Sequence, residues 1–241
     1  MPNNVEKMSY NYSPNFSLEK RDKIKIKYLI YHYTGMKKDS SAIKKLTNPN
    51  SKVSCHYYIT KNGKLIQMVP DLYISWHAGK SKWKKDISLN KNSIGIEISN
   101  PGHEFGYKNF NEKQINCLIK ISNILIKKYK IKKENVLGHS DVAPLRKKDP
   151  GEKFPWKLLS KKKISIWHKM NIKKLKNLRG KKLDLKLEFF LMKLKKFGYC
   201  TIYSNPNELK KIIKSFQMRF RPELIDGKLD RECFEIVKSL I

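Results

Sequence analysis

Ser93-Ile94-Gly95-Ile96-Glu97-Ile98-Ser99 alternates strictly between isoleucine and a small or charged residue. A period of two is the signature of a β-strand with one buried face. Ile94, Ile96 and Ile98 commit that face to a core, and Glu97 stands on the other. Upstream, Lys23–Tyr33 alternates Lys with Ile and then turns apolar, as a strand entering a core does, with His32 at its C-terminal end. Ser54–Thr60 reads as another strand, Lys61-Asn62-Gly63-Lys64 as an Asn-Gly hairpin turn, and Leu65–Val69 as the returning strand. Downstream, Asn111–Lys130 predicts an amphipathic helix with Asn111 as N-cap. Ile115, Leu118, Ile119, Ser122, Leu125, Ile126 and Tyr129 recur there at helical spacing. Val136-Leu137-Gly138-His139 follows as a short strand running into the irregular loop Ser140–Pro155. Strands, a long helix and a further strand predict an α/β or α+β layered fold.

On either side of this frame the pattern changes. Residues 1–22 are polar with scattered aromatics and read as an extended arm. Lys161–Lys182 is very basic, poor in Gly and Pro, and reads as a helical or extended linker. From Leu183 a small all-α module is expected. Its first helix, Leu185–Phe197, ends at Gly198-Tyr199. Its second, Asn207–Phe220, begins near Ser204 or Asn205. After an Asp226-Gly227 turn, Asp230 caps a last helix running to Leu240. The expected organisation is a first domain at 1–168 with the arm 1–22, a basic linker at 169–182 and a helical domain at 183–241.

The formal net charge is +32, and 47 of the 53 basic residues are lysine. Charge of that size suits a polyanion. Nucleic-acid readers, however, favour the planar fork of arginine, so specific nucleic-acid recognition is not expected. Cys55, Cys117, Cys200 and Cys233 show no CxxC spacing, which argues against a cysteine-based zinc site. No apolar run has the roughly 18 residues of a membrane span. The N-terminal segment shows no apolar core of an export signal.

The sharpest concentration of chemistry is Gly138-His139-Ser140-Asp141-Val142-Ala143-Pro144-Leu145-Arg146-Lys147-Lys148-Asp149-Pro150-Gly151. His139 and Asp149 on one Pro-containing loop can converge on a metal, and His32 at a strand end is the best third ligand. Two imidazoles and a carboxylate leave an open position for water, the ligand count of a catalytic zinc site. Glu97 is a carboxylate suited to general acid/base work, and Lys147 can approach a developing oxyanion. Each also has a plainer reading. His32 could be a satisfied strand-end histidine, Asp149 a turn cap before Pro150, Glu97 a solvent-facing strand residue and Lys147 one solvated lysine among many. Read locally, zinc is one candidate among others.

Taken together, the motifs carry a resemblance. Tyr31-His32-Tyr33-Thr34, Val53-Ser54-Cys55-His56-Tyr57, Trp76-His77-Ala78-Gly79-Lys80-Ser81-Lys82-Trp83, Asn92-Ser93-Ile94-Gly95-Ile96-Glu97, Gly138–Pro144, Lys147–Gly151 and Phe154-Pro155-Trp156 resemble, in order and spacing, the zinc N-acetylmuramoyl-L-alanine amidases. That family shares its fold with peptidoglycan-recognition proteins and T7-type lysozyme. The resemblance spans residues 20–160 or so and implies a mixed central β-sheet flanked by helices, with zinc at the floor of a groove. It implies one Zn2+ per chain on His32, His139 and Asp149, Glu97 as the acid/base residue and Lys147 as oxyanion stabiliser. The implied reaction is hydrolysis of the amide between N-acetylmuramic acid and L-alanine of the stem peptide, in peptidoglycan or muropeptides. Trp76, His77 and Trp83 are expected to line the substrate groove, since aromatic faces suit sugars and peptide backbone. His56 reads as structural, and His103 and His168 receive no role.

Gly198-Tyr199, Phe216–Phe220, Arg221-Pro222 and Asp226–Asp230 resemble the small helical peptidoglycan-binding domain of wall hydrolases, but Asp230 and Cys233 stand where that pattern has Gly and Thr. Two rival functions remain at this level: a peptidoglycan-recognition binder without catalysis, and a polyanion-binding protein. Substrate and architecture point to the periplasm or cell envelope, with the cytoplasm as the alternative.

Overall fold

The computed structural model describes residues 8–181 and 187–241. Its centre is a six-stranded sheet in the order β1 (Ser9–Tyr10), β5 (Leu65–Gln67), β4 (Tyr57–Ile59), β9 (Ser93–Ile98), β3 (Tyr28–Tyr33) and β10 (Val136–Gly138). Only the β4–β5 hairpin is antiparallel; the other four pairings are parallel. The mixed sheet implied by the family resemblance is therefore present. The hairpin turns where Asn62-Gly63 predicts, with Gly63 at φ 78°. Two small antiparallel pairs flank the sheet: β2 (Phe16–Lys20) with β6 (Tyr73–Ser75), and β7 (Lys82–Trp83) with β8 (Asp86–Ile87).

The alternation in β9 does what its sequence dictates. Ile94, Ile96 and Ile98 join Leu29, Tyr31 and Val136 in a core beneath α2 (which follows α1, Asp39–Thr47), the long helix Glu112–Tyr129. Asn111 caps α2 through a reciprocal pair with Gln114, and Lys130 closes it in the left-handed conformation. Ile121 is buried in α2 as well, a core position that the helical spacing above does not include. Strand β3 is buried on both faces, which is why Tyr-Leu-Ile-Tyr-His-Tyr reads as an unbroken apolar run.

The opposite face of the sheet has two covers. Near β4, α1 packs Ala42 and Leu46 on Cys55, Tyr58 and Met68. Near β3 and β10 the cover comes from the far end of the chain. Helices α3 (His139–Val142), α4 (Trp156–Lys161) and α5 (Ile172–Leu178) lead to α6 (Leu187–Phe197), α7 (Pro206–Phe220) and α8 (Arg231–Ser239). Phe190, Leu194, Phe216 and Phe220 from α6 and α7 share one buried cluster with Tyr28, Ile30, Leu137 and Val142. The C-terminal helices thus supply a layer of the sandwich. Asn205 and Asp230 cap α7 and α8 through their side chains, as expected. The start of the first C-terminal helix, and the boundary expected at 182/183, fall outside the described residues.

Three local expectations change. The strand drawn from Lys23 begins only at Tyr28, because Lys23–Lys25 forms a single 3-10 turn. The N-terminal arm is laced into the body: β1 extends the main sheet, and the Asn15 side-chain amide donates to the carbonyls of Asn48 and Val53, both at 2.9 Å. The basic stretch after Lys161 is anchored by buried Ile164 and Leu175. No described helix is long and apolar enough to cross a membrane.

Candidate metal centre and active site

The carboxyl ends of the parallel strands β3, β9 and β10 open into a cavity between α1 and the loop that carries Arg146–Asp149. In α/β sheets that edge is where ligands bind. His32 stands at the end of β3, directly in register with Glu97 on β9. His139 is the first residue after β10. The chain then turns through α3 and returns, so that Ser140 N–H bonds the Asp149 carbonyl at 2.8 Å and the carboxylate of Asp149 faces both histidines.

Three atoms converge. His32 Nδ1 and His139 Nδ1 are 2.9 Å apart, and Asp149 Oδ2 lies 3.0 Å from each. All three side chains are buried. Each imidazole is engaged behind by its other nitrogen: His32 Nε2 with His77 Nδ1 at 3.0 Å, His139 Nε2 with the Ala78 carbonyl at 3.1 Å. The same Nε2 also meets the Arg146 guanidinium at 3.2 Å, so it lies between a group that only accepts and one that only donates. Two imidazole nitrogens and a carboxylate oxygen packed this closely repel one another unless a proton or a metal cation sits among them. Ligand separations in tetrahedral zinc sites are about 3.3 Å, from bonds of 2.0–2.1 Å. The donor set and its outer hydrogen bonds therefore fit a divalent metal. This is also the group of His, Cys, Asp and Glu side chains, among the described residues, whose ligand atoms come together closely enough to hold one.

Charge in the pocket is polarised accordingly. Burial pushes the Asp149 carboxyl up, but the neighbouring imidazoles of His139 and His32 more than offset this and hold it well below the usual carboxylate range. Burial, and then the charge of His139, lowers His32 to about 4. Glu97 behaves oppositely. Burial, reinforced by the negative charge of Asp149, pushes it up to about 8, against the pull of Lys147. Its Oε2 is buried and makes no hydrogen bond among the described residues. A desolvated, unpartnered carboxyl beside a metal set is poised to hold or release a proton near neutral pH.

The surrounding cavity, of about 340 Å³, is walled by Glu97, Lys147, Asp149, Trp76, His103 and Tyr33, among others. Glu97 and Lys147 thus share the cavity with the metal set. Trp76 is half-buried on the same wall, its indole N–H donating to Ser17 Oγ at 3.2 Å. Of the other two expected groove residues, Trp83 is placed away from the cavity and His77 lines it. Trp83 is 0 % exposed and packs on Phe197 and Tyr199, with ring centroids 5.6 and 5.0 Å away. The C-terminal helices bury it, so it cannot face substrate. His77 reaches the cavity wall, but Nδ1 is committed to His32 and Nε2 to Ser93 Oγ at 3.0 Å. Burial, then the His32 and His56 rings, keep it well below its ordinary pKa, so it is neutral. His56 is structural as read: Nδ1 accepts from Gly95 N–H at 3.0 Å and Nε2–H donates to the Tyr73 carbonyl at 3.1 Å. His103, given no role by sequence, lines the cavity between the Tyr33 hydroxyl and Glu152, each at 2.9 Å. No motif marks it; it follows a Pro101-Gly102 turn that resembles any surface loop.

The metal loop is also gripped from behind. Asp141, two residues after His139, is 1 % exposed and takes Gly138 N–H at 2.7 Å, the Arg219 guanidinium and the Tyr199 hydroxyl. Ser215 Oγ–H donates to the Ser140 carbonyl at 2.6 Å. Three side chains of the C-terminal segment thereby fix the turn that carries His139.

Comparison with known proteins agrees with this geometry. The profile of a family described as N-acetylmuramoyl-L-alanine amidase matches residues 22–152. The N-acetylmuramoyl-L-alanine amidase AmiD of Escherichia coli (strain K12) is 36% identical over 235 residues, 90% of this chain and 83% of its own. The structure of E. coli AmiD in complex with the substrate anhydro-N-acetylmuramic acid-L-Ala-D-gamma-Glu-L-Lys superposes with a TM-score of 0.80 at 33% identity, covering 93% of this chain and 91% of that one. AmpDh3 from Pseudomonas aeruginosa also gives a TM-score of 0.80, at 28% identity over 100% of this chain and 96% of its own.

Proposed function

Since the chain belongs to the N-acetylmuramoyl-L-alanine amidase family and is an enzyme that hydrolyses the amide between N-acetylmuramic acid and L-alanine of peptidoglycan or muropeptides, we propose that it does so with one zinc ion held by His32, His139 and Asp149. The observation that carries the metal assignment is the convergence of two Nδ1 atoms and one carboxylate oxygen within 3.0 Å. A zinc ion bound there supplies Lewis acidity toward water and the scissile carbonyl. Glu97, in register with His32 and with an unpartnered oxygen, takes the proton from the attacking water and passes it to the leaving L-alanine amine. A carboxyl whose pKa is raised to about 8 is able to do both near neutral pH. Lys147 provides a positive charge toward the developing oxyanion, and Trp76 offers an aromatic wall to the sugar or the peptide.

The helical segment 187–241 we assign to support of this site, because its side chains pack on the sheet and on Asp141. The reaction belongs where peptidoglycan lies, in the periplasm or cell envelope, and fractionation of the native protein tests that address. The chemistry is tested on purified muropeptides. Free stem peptide should appear, disappear with a chelator and return with zinc. Glu97→Gln should keep stoichiometric zinc and lose 10²–10⁴-fold in turnover. Zinc binding without peptide release from wild-type protein would instead favour the non-catalytic recognition protein.

A further inference from the structure

The hydrogen bonds behind His32 run in one direction. Ser93 Oγ lies 2.5 Å from the Leu89 carbonyl, which can only accept, so the hydroxyl proton points there. Ser93 Oγ must then accept from His77 Nε2 at 3.0 Å, which puts the single proton of the neutral His77 ring on Nε2 and leaves its Nδ1 bare. That Nδ1 faces His32 Nε2 at 3.0 Å and accepts from it. His32 is thereby held as the Nε2–H tautomer, with the Nδ1 lone pair aimed at His139 and Asp149.

Two further features are built around the same ring. A Cβ on Gly95 would stand 2.4 Å from His77 Cγ, so β9 gives up a side chain where the imidazole lies against it. Asn90 Oδ1 accepts from the backbone N–H groups of both His77 and Ala78, at 3.1 and 2.7 Å. The Ala78 carbonyl in turn lies 3.1 Å from His139 Nε2. The dipeptide His77-Ala78 therefore stands behind both imidazoles: behind His32 through a side chain, and behind His139 through a backbone carbonyl that shares Nε2 with Arg146.

We propose that His77, directed by Ser93, seated on Gly95 and held at its backbone by Asn90, is a positioning residue for zinc binding that sets the tautomer of His32. This rests on the assignment of the zinc site above. It adds to the place His77 has on the cavity wall. Outer-sphere partners of this kind are worth about 10–100-fold in metal affinity.

The test is zinc affinity, measured by competition with a chromogenic chelator, for wild type, His77→Leu, His77→Asn and Ser93→Ala. Leucine removes the acceptor for His32, and affinity should fall roughly 10–100-fold. Asparagine can place Oδ1 near the former Nδ1 and should restore affinity to within about threefold of wild type, a rescue that packing alone would not produce. Ser93→Ala leaves the His77 proton unpartnered and should give an intermediate loss. In zinc-loaded wild type, ring nitrogen NMR should find the His77 proton on Nε2. A proton on Nδ1, or undiminished zinc affinity in Ser93→Ala or in a folded His77→Leu, would overturn the proposal. Failure of the zinc assignment looks different: wild type itself would bind no zinc while His77 still carried its proton on Nε2.

Discussion

Deleting residues 169–241 should unfold the remaining chain, not merely detach a wall-binding accessory. Tyr28, Ile30, Trp83, Leu89, Leu137 and Val142 are each 3 % exposed or less, and they share their cluster with the C-terminal helices. Fully burying a large apolar side chain contributes about 1.5–3 kcal/mol, so uncovering these six forfeits roughly 9–18 kcal/mol at the upper limit. Even half of that matches the about 5–15 kcal/mol by which a domain is stable. The deletion also leaves Asp141 without Arg219 and Tyr199 directly behind His139. A chain ending at His168 should lack a cooperative thermal transition, bind a hydrophobic dye and release no peptide from a soluble muropeptide. A freely hung binding module predicts the opposite: a sharp melt, full activity on soluble muropeptide and loss only on intact wall. That second outcome would refute the shared-layer argument.

Smaller perturbations probe the same structure. Asp141→Asn leaves the 1 % exposed Arg219 facing a neutral amide. Breaking a buried pair costs about 3–5 kcal/mol, so the melting temperature should drop by roughly 10 °C at two to four degrees per kcal/mol, and an unchanged melt would show the pair to be dispensable. Lys147→Ala should keep zinc and lower kcat more than it raises KM; a pure KM effect would make Lys147 a ground-state binder. Burial, then the charge of Arg21, lowers the folded His56 to about 3, so unfolded chains take up a proton below about pH 6.5 that folded ones refuse. Stability is therefore complete above that pH and falls toward pH 3, by up to about 1.4 kcal/mol per pH unit. Zinc-free His56→Gln should show a shallower fall than zinc-free wild type, and an equal slope would remove His56 from the account.

The strands and the metal set were legible because their signals are local. Alternation in Ser93–Ile98 reports which face is buried, and a His and an Asp on one short Pro-containing loop after a strand report convergence. What a period cannot report is which element covers the buried face. Trp83 illustrates this: the sequence shows an aromatic residue near a site motif, but whether it meets substrate or a helix depends on Phe197 and Tyr199, more than a hundred residues away. The same limit hides β1 and β2: two residues carry no alternation, and the Phe-Ser-Leu alternation of β2 marks no core face because Leu18 is exposed, so their pairing is decided by Leu65–Gln67 and Tyr73–Ser75. His77 lines the cavity as expected, but its second contact, behind His32, was hidden because a histidine in a motif looks alike whether it faces ligand or stands behind one.

The arrangement explains why so many motif residues do no chemistry themselves. His139 is held on one side by Ala78, which Asn90 fixes, and on the other by the turn that Asp141, Arg219 and Ser215 fix. His32 is held by its strand and by His77. Two imidazoles and a carboxylate crowded this closely need such restraint to stay together. Restraint from two distant parts of the chain also accounts for the docked C-terminal helices: a free module could bring substrate near, but only a packed one can hold a metal loop in place.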